Sequence, residues 1–107
     1  MNQVNLMGNL AQDLELKQAN ENGRFYTQFR LAVDNKKKKE KETYFFDVVA
    51  FGKKAQLLSQ NTKKGEKIVV IGSLQNSEFV NKEGIKNYRT KIVLDDFEVV
   101  GKKKIIG

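Results

Sequence analysis

The chain has 107 residues, with 20 Lys and Arg against 13 Asp and Glu, a formal charge of +7; this sizes it as one domain and favours polyanions or anionic surfaces as partners. It holds no Cys and no His, so disulfides, thiolate chemistry, His-based acid–base catalysis and the usual zinc sites are set aside, and neither a metal nor a cofactor is expected. No apolar run approaches 18 residues and no signal-peptide pattern opens the chain, which predicts a cytoplasmic protein.

Gln3 to Gly8 reads as a short strand with Val4 and Leu6 on one face and Asn5 and Met7 on the other. Leu14 and Leu16 continue it after a bend at Gly8-Asn9. Asn22-Gly23 is a hairpin signal. Arg24 to Val33 then alternates, with Phe25, Thr27, Phe29, Leu31 and Val33 on one face and Tyr26, Gln28 and Arg30 on the other. Lys36 to Glu42 reads as a charged loop. Thr43 to Phe51 is a third strand with rings on both faces: Phe45 and Phe51 on one, Tyr44 and Phe46 on the other. A small barrel has one core, so one face is left near solvent, and parity alone leaves open which.

Lys53 to Lys64 changes period. Ala55, Leu58 and Thr62 share a helical stripe, and Gly65 reads as the residue that ends the helix. Lys67 to Leu74 is a strand in which Gly72 marks a bulge or bend. Asn81 to Gly84 is a turn. Lys86 to Val100 is the last strand, until Asp95-Asp96 breaks its pattern at a strand-end turn. Those two neighbours point to opposite faces and cannot converge on one ion, so no enzyme is expected.

Three strands, one short helix and two strands give an all-β protein with one short helix, the order of a five-stranded Greek-key barrel of the OB type. The expected domains are 1–101 for the barrel and 102–107 for a short basic end. Exposed rings among cations suit a single-stranded nucleic acid, whose bases stack on rings while its phosphates meet lysines. In this topology Lys53, Lys54, Lys64, Lys82, Lys86 and Arg89 surround the aromatic set as candidate phosphate contacts. The lysine-rich run from Lys36 to Lys41 adds steering. Phe79 lies in a polar hairpin with little core to join. Tyr88 is a further stacking candidate, with core and interface left open.

The opening M-N-Q-V-N-L-M-G-N-L-A-Q-D-L-E-L, F-R-L-A-V at 29–33, T-Y-F-F-D-V-V-A-F-G-K-K-A from Thr43, K-K-G at 63–65, G-S-L-Q at 72–75 and N-Y-R-T-K-I-V at 87–93 resemble the bacterial single-stranded DNA-binding protein family, in the right order over nearly the whole chain. The resemblance implies an OB fold that coats single-stranded DNA without strict sequence preference in replication, recombination and repair. It implies stacking roles for Phe45, Phe51 and Phe79, and phosphate contact at Lys53 and Lys64. In that family the first strand pairs with its counterpart in a second copy. An oligomer interface is therefore implied at Val4, Asn5 and Leu6, with a tetramer favoured and a dimer possible.

The chain departs from the family pattern in having no Trp, in Glu78 beside Phe79, and in ending G-K-K-K-I-I-G rather than in an acidic, Phe-tipped tail. Tail-mediated protein partners are therefore not expected. The alternative is a tailless, dimeric primosomal adaptor with an OB fold and weak affinity for single strands.

Overall fold

Alternation decides which face of each strand is buried. In β3 (Phe25–Lys37) the side chains of Thr27, Phe29 and Leu31 are buried while Gln28 and Arg30 are exposed. β4 (Glu40–Phe51) lies antiparallel to β3, with Ala50 opposite Thr27, Val48 opposite Phe29 and Phe46 opposite Leu31. Directly opposed residues share a face, so Phe46, Val48 and Ala50 of β4 join the core. The odd-numbered set, with Phe45, Asp47 and Phe51, faces outward, and within that set Val49 alone is covered. That resolves the parity left open by the sequence.

The computed structural model describes residues 1–37 and 40–101, the side chains of 36, 37, 40 and 41 excepted. The remaining elements are β1 (Val4–Leu10), β2 (Lys17–Gln18), α1 (Gly52–Asn61), β5 (Lys67–Val80) and β6 (Lys86–Val99). The sheet runs β1-β5-β6-β4-β3-β2, and β1 also pairs with β3 through Asn9 and Leu10. Five strands thus close into a barrel, the OB arrangement, with β2 a two-residue addition on the edge of β3. The β4–β6 seam is parallel and short, Val48 with Ile92 and Val49 with Val93.

Leu10, Leu31, Val48, Ile68, Val70 and Ile92 fill the barrel, and α1 plugs it with Ala55 and Leu58. Burying Leu58 fully contributes about 2 kcal/mol. Thr27 is the one described buried side chain whose polar atom finds no partner. An orphaned hydroxyl is a net cost, so Thr27→Val is expected to hold or raise stability, by about 1 kcal/mol or less. A thermal melt checks this; a loss above that size would mean the hydroxyl has a partner.

Several boundaries differ from the sequence reading. β1 runs unbroken through Gly8-Asn9, and Leu14 and Leu16 lie outside any strand; both still pack against the core. The expected charged loop is taken into the strands as far as Lys37 opposite Glu40, because main-chain pairing needs no apolar face to continue. Lys38 and Lys39 lie outside the described residues, as does 102–107.

Helix α1 stops at Asn61, before Gly65, for a side-chain reason. Asn61 Nδ2 donates to the Leu57 carbonyl at 2.7 Å and Thr62 Oγ1 to the Leu58 carbonyl at 2.6 Å. These satisfy acceptors that a further turn would have used.

Asp95-Asp96 does not end β6. Gly72 stands opposite Leu94 and Ile71 opposite Asp96, so Asp95 is the extra residue of a β-bulge. The slip by one explains why burial passes from Ile92 and Leu94 to Phe97 and Val99.

β5 and β6 both run past the barrel. From Leu74 to Val80 every residue of β5 is exposed, and with the start of β6 they form a projecting ribbon closed by the turn at Asn81–Gly84. The β3–β4 hairpin projects likewise. The Cα radius of gyration, 15.2 Å, exceeds the roughly 13 Å of a compact chain of this size, in keeping with two arms.

Candidate nucleic-acid interface

The outward face of β4 sets the site. Phe45 is 57 % exposed and Phe51 half-buried. They stand six positions apart on the strand, roughly 20 Å at ~3.3 Å per residue. Across β3 the same face carries Ala32 opposite Phe45, Arg30 opposite Asp47, Gln28 opposite Val49 and Tyr26 opposite Phe51. Across the β4–β6 seam it continues through Val93, and up β6 through Lys91 and Arg89. Phe79 (44 % exposed) belongs to it because it stands opposite Asn87 on the ribbon, in phase with Arg89 and Lys91. One curved face therefore carries three phenylalanine rings.

Cations are placed on those rings. The Arg24 guanidinium lies 4.6 Å from the centre of the Phe51 ring and that of Arg89 lies 5.6 Å from Phe79. Both are cation–π distances. Each guanidinium holds its ring in orientation and sets a positive charge beside it. A groove of about 400 Å³ lies over the middle of β4, lined by Gln28, Arg30, Asp47, Val49, Arg89 and Lys91. The first turn of α1, directly after Phe51, carries Lys53 and Lys54 and no acid, so the helix dipole and two ammonium groups point the same way electrostatically.

The candidates from the sequence separate into groups. Phe45, Phe51, Phe79, Arg89 and Lys53 stand on or beside this face. Lys54 instead holds Asp96, Nζ to Oδ1 at 2.9 Å. Lys86 pairs with Glu78 at 3.3 Å, on the other side of the ribbon. Lys82 is exposed in the ribbon turn. Lys64 is exposed in the turn before β5, where its N–H donates to Asp13 Oδ1 at 2.8 Å. Tyr88, 70 % exposed, is opposite Glu78 and faces away from Phe79, so it joins neither the core nor the three-ring face. Among the described residues no three potential metal ligands gather.

Arg24, Arg30 and Lys91 were missed as site residues. Alternation already put Arg30 beside Tyr26 and Gln28, and Lys91 beside Arg89. Only the β3–β4 register, Tyr26 against Phe51, brings Arg24 to its ring.

Val4 and Leu6 pack inward against the core, while Asn5 and Met7 are exposed. β1 pairs with β5 from Val4 to Asn9, but with β3 only at Asn9 and Leu10. From Val4 to Met7 the second edge of β1 pairs with no described strand. The Asn2 amide extends the paired edge, accepting from Leu74 N at 2.9 Å and donating to Leu74 O at 2.8 Å.

A family profile described as the single-strand binding protein family matches residues 1–100. Among curated relatives, a protein named single-stranded DNA-binding protein from Clostridium perfringens is 33 % identical over 100 residues, 94 % of this chain and 66 % of that one. Its namesake from Clostridium tetani is 35 % identical over 111 residues, 100 % of this chain and 77 % of the other. A third, from Fusobacterium nucleatum, is 37 % identical over 109 residues, covering 97 % and 69 %. The chain thus spans about two thirds to three quarters of the length of these relatives.

Proposed function

The chain belongs to the single-strand binding protein family, and on that footing we propose that it binds and coats single-stranded DNA without strict sequence preference, as a non-catalytic protein of the bacterial cytoplasm serving replication, recombination and repair. One observation carries the reading: Phe45, Phe51 and Phe79 share a single outward face, and guanidinium groups lie on two of those rings. Bases in a duplex are already stacked on one another, so rings offered to solvent select unpaired strands. No described helix is long and apolar enough to cross a membrane.

Salt titration tests the electrostatic half. Arg24, Arg30, Lys53, Arg89 and Lys91 are five cations on or beside the face. At about −0.7 per neutralised phosphate, the slope of log affinity for oligothymidylate against log salt should approach about −3.5 from these five, and about −4.9 on a strand long enough to reach Lys64 and Lys82 as well. Fluorescence anisotropy measures it. A slope near zero, or equal affinity for duplex of the same length, would remove the proposal.

The unpaired edge of β1 supports self-association through Val4, Asn5 and Leu6, since an open edge is a ready template for a second strand. We assign the chain to a homo-oligomer, tetramer before dimer. Light scattering in the same samples supplies the mass, and a stable monomer would end that assignment. Lys64 and Lys82 are assigned to phosphate beyond the three rings. Lys54 and Lys86 reach it only by leaving Asp96 and Glu78, and Tyr88 serves the reverse side of the ribbon. The barrel, residues 1–101, is the binding unit.

A further inference from the structure

The groove over the middle of β4 carries an anion that a purely phosphate-binding face does not need. Asp47 lies on β4 between Phe45 and Phe51, on their face, and its side chain is 51 % exposed. Among the described residues it pairs across the strands with Arg30, Nε to Oδ1 at 3.5 Å, itself 64 % exposed. A pair so exposed contributes little to stability. A carboxylate here also repels the phosphates that Arg30, Arg89 and Lys91 attract, so as a structural device it weakens binding and gains almost nothing.

It has a use if the edge of a base, rather than a phosphate, sits over it. A strand stacked on both Phe45 and Phe51 must carry intervening nucleotides across the roughly 20 Å between them, directly over Asp47. Unpaired bases are read on their Watson–Crick edges. Guanine presents N1–H and N2–H side by side, matching the two oxygens of one carboxylate. Its O6 is an acceptor for the neighbouring guanidinium. Cytosine offers this carboxylate one donor group, and adenine likewise; thymine offers N3–H between two acceptors. The Arg30–Asp47 pair is therefore complementary to guanine above the other bases.

We propose that Asp47, oriented by Arg30, is a guanine-reading position between the two stacking rings, giving an otherwise permissive coat a base preference. The proposal rests on the nucleic-acid reading above.

The test uses oligonucleotides of one length with one base varied against thymine, (TTG)n, (TTI)n and (TTC)n, where I is hypoxanthine, guanine without its N2 amine. With oligothymidylate as the reference, affinities are measured by anisotropy for the full chain and for Asp47→Ala. The parent should bind (TTG)n about tenfold tighter than (TTI)n, the lower part of the range for one bidentate base contact. Asp47→Ala should abolish that ratio while holding or raising affinity for oligothymidylate. Equal binding of (TTG)n and (TTI)n by the parent, a ratio that survives in Asp47→Ala, or tighter binding of (TTC)n than (TTG)n would each overturn the assignment. Failure of the parent to bind any of the four would instead overturn single-strand binding itself.

Discussion

Replacing Phe45 and Phe51 together by alanine is expected to weaken single-strand binding by about 2–6 kcal/mol, from roughly 1–3 kcal/mol for each base that loses its ring. The low end is already a thirtyfold loss of affinity. The two rings stand too far apart on β4 to share a base, so their contributions should add. Neither belongs to the buried core cluster, so the melting temperature should move little, the larger part of any shift coming from Phe51, which loses its Arg24 contact. Anisotropy with oligothymidylate at fixed salt is the measurement. Affinity within twofold of the parent, in a double variant that melts normally, would mean that bases do not rest on these rings.

The second large effect concerns the barrel wall. Gly72 lies where β5 meets the β6 bulge, and a methyl group on it would strike the Val93 carbonyl oxygen and lie 3.1 Å from Ile92 Cγ2. The carbonyl belongs to main chain held in the ladder and cannot swing aside. Gly72→Ala should therefore cost about 2–3 kcal/mol, as overpacked sites do, and lower the melting temperature by roughly 10–20 °C. Calorimetry checks this. A shift below about 3 °C would show that β5 and β6 separate there at little cost.

Much of this architecture was legible because β3 alternates so cleanly. Thr27, Phe29 and Leu31 mark the inner face, and the order of strands and helix limits the topology to few candidates. β4 was ambiguous for a physical reason: Phe46 and Phe45 are equally apolar, and only the register against β3 says which one meets Leu31. The bulge at Asp95 was hidden in the same way. Two acids resemble a turn until Phe97 and Val99 are seen to resume the alternation one residue out of phase. Gly65 misled because glycine often ends helices, whereas here the Asn61 and Thr62 side chains do so first. Arg24 lies beyond the reach of periodicity, since it comes to Phe51 through a pairing two strands make in space.

The bare flank of β1 has a consequence for how a strand could cross an assembly. Two copies joined there antiparallel are related by a two-fold axis, and such an axis reverses every direction perpendicular to it. DNA has a 5′-to-3′ polarity. A strand leaving one copy's aromatic face would therefore have to turn back before meeting the other in the same sense, so compaction of the DNA would be dictated by symmetry rather than by any single contact.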